Sequence, residues 1–120
     1  MRAGRKASGG KYKRPKKRSL TGRQGQPRIV KLGNEKKKVL RGRGGSLKTV
    51  ALQSNKVHVI SKGKGKTVSI KNVLETPSNT FLARQNILVK GAIIETELGK
   101  AKITNRPSQE GYVQAILLAE

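Results

Sequence analysis

Ala92-Ile-Ile-Glu-Thr-Glu97 and Lys100-Ala-Lys-Ile-Thr104 are two alternating runs separated only by Leu98-Gly99. Successive side chains of an extended chain point to opposite faces, so Ile94 and Thr96 share one face with Ala101 and Ile103. The charged residues take the other face. This spacing predicts a β-hairpin. With Leu98-Gly99 as a two-residue turn, Glu97 faces Lys100, Glu95 faces Lys102 and Ile94 faces Ile103, giving two opposite-charge pairs. Leucine fits a positive φ poorly, so a type II turn or a bulged three-residue loop is the alternative, and the bulged form shifts this register.

The same alternation continues on both sides. Arg106-Pro107 ends the second run, because proline cannot donate to a ladder. Gly111 then precedes Tyr112 to Leu118, where Val113, Ala115 and Leu117 alternate with Tyr112, Gln114, Ile116 and Leu118. Apolar residues on both faces predict a central strand. Upstream, Val57 and Val59 share one face, with Lys56 and His58 on the other; Val68 and Ile70 oppose Thr67, Ser69 and Lys71. Lys62-Gly-Lys-Gly65 between them reads as a basic hairpin loop. Shorter runs precede these at residues 29–32, 38–40 and 47–53. Residues 76–86 read either as one helical turn capped by Asn79 or Thr80 or as an irregular loop. The fold class is therefore mainly β: a small β-barrel-like domain of about six short antiparallel strands, with a sandwich as the alternative.

Charge divides the chain differently. Residues 1–48 hold 18 Lys and Arg against the single acid Glu35, whereas residues 49–120 hold 10 against 5, which together make the net +22. Residues 1–28 contain too few apolar groups to offset the entropy of ordering a backbone. Their glycines, prolines and repelling cations predict an extended basic arm, disordered without RNA, ahead of a body spanning 29–120. A polyvalent cation of this kind implies a polyanionic partner, since displaced counterions make phosphate binding favourable. The cluster at residues 11–18 also reads as an import signal or a solvated tail. In Arg41-Gly-Arg-Gly-Gly45 the glycines permit close approach of a phosphate, while the plainer reading is a turn between strands.

Little chemistry beyond charge is available. Cysteine and aspartate are absent and His58 is the only histidine, so no disulfide, metal or cofactor site is expected. Glu95 and Glu97 are read as partners of the lysines opposite them, not as catalytic acids. Gly65-Lys66-Thr67 imitates the end of a phosphate-binding loop, but Ile60 stands where the upstream glycine is required. No apolar run approaches a membrane span, and no signal peptide is visible. These features exclude an enzyme, a membrane partner and a small-molecule substrate, and point to a soluble protein of an interior compartment. Tyr12, Phe81 and Tyr112 are too few and scattered for a stacking platform. What remains is recognition of a folded RNA by phosphate and shape; compaction of DNA would use the same electrostatics.

Five strings fall in a familiar order: Arg5-Lys-Ala-Ser-Gly-Gly-Lys11, Lys31-Leu-Gly33, Arg41-Gly-Arg-Gly-Gly45, Glu75-Thr-Pro-Ser-Asn79 and, longest, Lys90 through Pro107. Together they make the chain resemble the small-subunit ribosomal protein family S8e of archaea and eukaryotes, and the compact length is similar to the archaeal members. Arg106-Pro-Ser-Gln-Glu-Gly111 departs from the family pattern, as does the lack of an aromatic near the N-terminus. The resemblance implies a structural constituent of the small ribosomal subunit, cytoplasmic and ribosome-bound, partnered by small-subunit ribosomal RNA and neighbouring ribosomal proteins. A ribosome-assembly factor of the same domain family is the alternative. The expected RNA contacts are Arg2, Arg5, Lys6, Lys11, Lys13, Arg14, Lys16, Lys17 and Arg18 in the arm. Arg41, Arg43 and Lys48 are expected at the junction, with Arg84, Lys90 and Arg106 near the family strings.

Overall fold

A computed structural model describes residues 4–13, 16–22 and 25–118. Its centre is a closed barrel of five strands in the order β4-β5-β6-β7-β8, and beside it lies a three-stranded sheet in the order β1-β3-β2. The small sheet comprises β1 (Lys31–Leu32), β2 (Lys36–Arg41) and β3 (Leu47–Ser54). The barrel comprises β4 (Lys56–Ser61), β5 (Lys64–Glu75), β6 (Ile93–Thr96), β7 (Gly99–Ile103) and β8 (Gln114–Leu117). One helical turn, α1 (Thr80–Arg84), follows β5, and the Asn79 side chain caps it by accepting from the Phe81 amide at 3.0 Å. No described helix is long and apolar enough to cross a membrane.

The mainly β expectation holds, with two corrections. There are eight strands where about six are expected, because the short runs at 29–32 and 38–40 both pair, as β1 and β2. Nor is the pairing wholly antiparallel. β1 runs parallel to β3, and β8 runs parallel to β4 through His58↔Gln114, Val59↔Ala115 and Ile60↔Ile116. This last ladder closes the barrel. A parallel pair needs a long connection, and its partners lie more than fifty residues apart, so local patterning cannot announce it.

Inside the barrel the alternation decides everything. Val57 and Val59 of β4, Ile70 of β5, Ile94 and Thr96 of β6, Ala101 and Ile103 of β7, and Ala115 of β8 are all buried. Burying each valine or isoleucine contributes about 1.5–3 kcal/mol, set against the entropy of ordering it. β5 carries irregularities between Ile70 and Asn72 and between Val73 and Glu75. The first shifts the parity of the strand, so Val73 also turns inward and is buried. The β4–β5 connection is shorter than the four-residue loop expected: Ser61 pairs with Lys64, leaving only Lys62 and Gly63, at φ 47° and 77°.

The β6–β7 hairpin forms, in the shifted register. Glu95 pairs with Lys100 and Ile94 with Ala101, so the turn residues are Glu97 and Leu98. Gly99 takes the positive φ, at 119°, which only glycine adopts without strain. A slip of two keeps every side chain on its face, so Ile94, Thr96, Ala101 and Ile103 share the interior as expected. The two cross-strand ion pairs do not form; Glu97 instead accepts a hydrogen bond from Ser69 of β5.

Two segments weld the small sheet to the barrel. Leu88 donates to the Val30 carbonyl at 2.8 Å and Leu32 to the Asn86 carbonyl at 2.9 Å, so the chain from Val30 onward is held against the segment leaving α1. The loop before β8 docks on β3, where the Ala51 amide donates to the carbonyls of both Pro107 and Glu110, each at 3.1 Å. Asn105 braces that loop through the Tyr112 carbonyl and the Gln114 amide at 2.8 and 2.9 Å.

Ile94→Ala is expected to lower the free energy of unfolding by about 2–5 kcal/mol in urea titration. Ile116→Ala, at a residue 51% exposed on the outer wall, should change it by less than about 0.5 kcal/mol. Equal losses at the two positions would contradict the inward and outward assignments.

Candidate nucleic-acid interface

Every described residue from Gly4 to Ile29 is exposed, and Val30 is the first that is buried. Within this stretch the backbone makes one local loop: Gly9 donates to the Lys6 carbonyl and Lys6 to the Gly10 carbonyl, both at 2.9 Å, while Arg5 bridges Lys11. Gly9 permits the fold-back at φ 78°. The loop gathers Arg5, Lys6 and Lys11, and the Lys6 ammonium stands 5.7 Å from the Tyr12 ring centroid. Lys13, Lys16, Lys17 and Arg18 follow, exposed and outside any helix or strand. Arg2 and Arg14 lie outside the described residues.

A second group occupies the β2–β3 hairpin. Its turn is Arg41-Gly-Arg-Gly-Gly45, closed by the Gly42 amide donating to the Ser46 carbonyl at 2.7 Å. Gly44 and Gly45 adopt φ 72° and 77°, so the glycines serve the turn itself. Arg41 and Arg43 flank the tip, and Lys48 stands opposite Leu40. Lys36, Lys37 and Lys38 extend the cationic stripe along β2, all exposed, and were not among the expected contacts. Their sequence signal is the plain Lys36-Lys-Lys38 run at the start of a strand. Glu35 offsets part of it: its carboxylate pairs with Lys37, and that ammonium holds its pKa below the usual carboxylate range. A lowered carboxylate pKa means that the contribution of the pair to stability is present above the ordinary carboxylate pKa. It is lost as pH falls through the lowered value. Because the pair is solvent-exposed, that contribution is small.

Arg84, Lys90 and Arg106 are placed on three separate connections. Arg84 ends α1 with its guanidinium 5.7 Å from the Phe81 ring centroid. Lys90 precedes Gly91, whose φ of 85° turns the chain into β6. Arg106 opens the turn before β8, its carbonyl accepting from the Gln109 and Glu110 amides at 3.0 and 3.1 Å. That turn is also met by Arg28, whose Nε donates to the Ser108 carbonyl at 3.4 Å.

The arrangement offers phosphates many forked and ammonium donors and offers a reacting substrate little. His58 is exposed on β4, its Nδ1 2.8 Å from Thr67 Oγ1. Among the described residues the one ion pair is Lys37–Glu35, which leaves the other described cations without a carboxylate within 4.0 Å.

Comparison with known proteins agrees in kind. Residues 1–118 match the family model described as ribosomal protein S8e. The chain is 56% identical over 55 residues to the small ribosomal subunit protein eS8 of Sulfurisphaera tokodaii, covering 46% of this chain and 43% of that protein. It is 41% identical over 120 aligned residues to the protein of the same name from Pyrobaculum aerophilum, covering 95% and 90%. With that of Nanoarchaeum equitans the identity is 40%, over 88% and 83%. The chain thus aligns with less than half the length of the first of these relatives and with most of the other two.

Replacing Arg41, Arg43 and Lys48 together by Gln should flatten the dependence of log K on log salt for a structured RNA by roughly 2–3, since each phosphate contact contributes about 0.7–0.9. The urea midpoint should not move. An unchanged salt slope would remove the hairpin tip from the interface.

Proposed function

Because the chain belongs to the ribosomal protein S8e family, we propose that it is a non-catalytic structural constituent of the small ribosomal subunit, with a role in translation. It binds and stabilises folded small-subunit ribosomal RNA through phosphate and shape contacts. It works in the cytoplasm, bound to ribosomes and beside neighbouring ribosomal proteins. The observation that carries this reading is the family match across residues 1–118. The net charge of +22, concentrated before residue 49, supplies the physical reason for an RNA partner.

The division of labour follows the charge. Residues 1–28 act as an extended arm laid along phosphates, using Arg2, Arg5, Lys6, Lys11, Lys13, Arg14, Lys16, Lys17 and Arg18. Residues 29–120 form the body, in which Arg41, Arg43 and Lys48 on the β2–β3 hairpin anchor the junction on the RNA. Arg84, Lys90 and Arg106 add contacts from connections between elements. The arginines give bidentate contacts and the lysines point charges. Base-edge readout is left to a minor role, which suits a partner recognised by its folded shape.

On a sucrose gradient of cell lysate the protein is expected with small subunits and with translating ribosomes. Confinement to precursor particles would make it an assembly factor, and absence from both would overturn the reading. Deleting residues 1–28 should flatten the salt dependence of RNA binding while the remaining chain keeps its cooperative unfolding transition. Loss of that transition would refute the separation of arm from body.

A further inference from the structure

One end of the barrel breaks the alternation that fills the rest. Inward positions run Val57, Val59, Ser61 along β4 and Ala115, Leu117 along β8. Along β5 the same series reads Ile70, Val68, Lys66, Lys64 toward the hairpin tip, with Lys66 paired to Val59 and Lys64 to Ser61. Two lysines thus hold positions where a sealed barrel end would carry apolar side chains. The end is open: a cavity of about 280 Å³ is lined by the apolar Val59, Leu98 and Leu117 and by Ser61, Lys62, Lys64 and Lys66. Lys62 is fixed at the turn with φ 47°. No carboxylate stands within 4.0 Å of these three ammonium groups among the described residues, and Glu97 beside Leu98 is engaged by Ser69.

An apolar lining beside three lysines fits a ligand with a flat apolar face and an adjacent anion. The volume lies just below the range of about 300–1,000 Å³ typical of pockets for drug-sized ligands, so it takes one ring system and not a helix. We infer that the barrel mouth receives a single unstacked nucleobase, with its face on Val59, Leu98 and Leu117 and its flanking phosphates on Lys62, Lys64 and Lys66. This rests on the RNA-binding reading and adds to it a fixed point for an unpaired nucleotide, formed by residues outside the arm. Apart from the three lysines, only Ser61 in the lining carries a hydrogen-bonding side chain, so the site selects weakly among bases.

The test uses the full chain with a uridine hexamer and an abasic hexamer of equal phosphate count. Methyl NMR signals of Val59, Leu98 and Leu117 should shift on adding the uridine hexamer and stay in place with the abasic one. The uridine hexamer should bind about fivefold or more tighter, from the apolar surface that the base buries on these three side chains. Leu98→Ser, in an exposed turn, should abolish that difference and leave the abasic affinity unchanged. Equal binding of both hexamers with unmoved methyls would overturn the inference and leave the phosphate reading standing. Failure of both hexamers to bind would overturn this inference together with the phosphate contacts it assumes. A hexaglutamate peptide that moves the same methyls as strongly as the uridine hexamer would overturn it in favour of an acidic protein segment.

Discussion

The parallel ladder between β4 and β8 turns a run of antiparallel strands into a cylinder, and the rest of the molecule is arranged to deliver it. Only when Val59 meets Ala115 across that seam does the inner face of every barrel strand become an interior. Five strands enclose a narrow space, and the residues obey that limit. Ala101 and Ala115 sit inside beside Ile94 and Ile103, so small and large side chains share the bore. The seam also leaves no free strand edge on the barrel, which removes a surface prone to unintended pairing.

Delivering β8 to the far side of the barrel is the task of residues 104–113. Asn105 holds this loop at both ends, and its middle is docked on the Ala51 amide of the small sheet. Gly111 lies so close to Thr49 that an added Cβ would stand 3.0 Å from its Cγ2. The small sheet therefore buttresses the barrel's closing connection, and it is more than a carrier of basic residues. Through Arg28 and Ser108 the incoming chain is tied to the same loop. Closure of the core and placement of the cationic hairpin are one packing problem.

Much of this was legible because the side-chain period of a strand is two. Which residues of β4, β6, β7 and β8 turn inward follows from alternation alone, and it survived even where the hairpin register did not. Register depended on turn chemistry: Gly99 claims the positive φ, which moves the turn to Glu97 and Leu98 and separates the expected charge pairs. The parallel seam was invisible for a different reason, since it is fixed by partners distant in sequence. At the interface, charge could be counted but not positioned. The Arg41, Arg43 and Lys48 group was readable as a glycine-rich tip, while Lys36 to Lys38 were passed over as a strand start. Lys64 reads as a loop cation and Lys66 as the start of a strand; their pairing with Ser61 and Val59 puts both on the inward side of β5.

The same geometry explains how so much positive charge is tolerated. Exposed like charges repel over roughly one Debye length, about 8–10 Å at physiological salt. Concentrated on the barrel wall, 22 net charges would work against a small core whose stability is only marginal. Among the described residues most cations instead sit on projections: the exposed stretch before Val30, the β2–β3 hairpin and the β4–β5 tip. The barrel wall itself carries Glu95, Ser69, Thr67 and Gln114 among its lysines, with Ile60 and Ile116 adjacent across the seam. Projections can be neutralised by phosphates one at a time, with no demand that the core rearrange. The core therefore fixes where each projection begins.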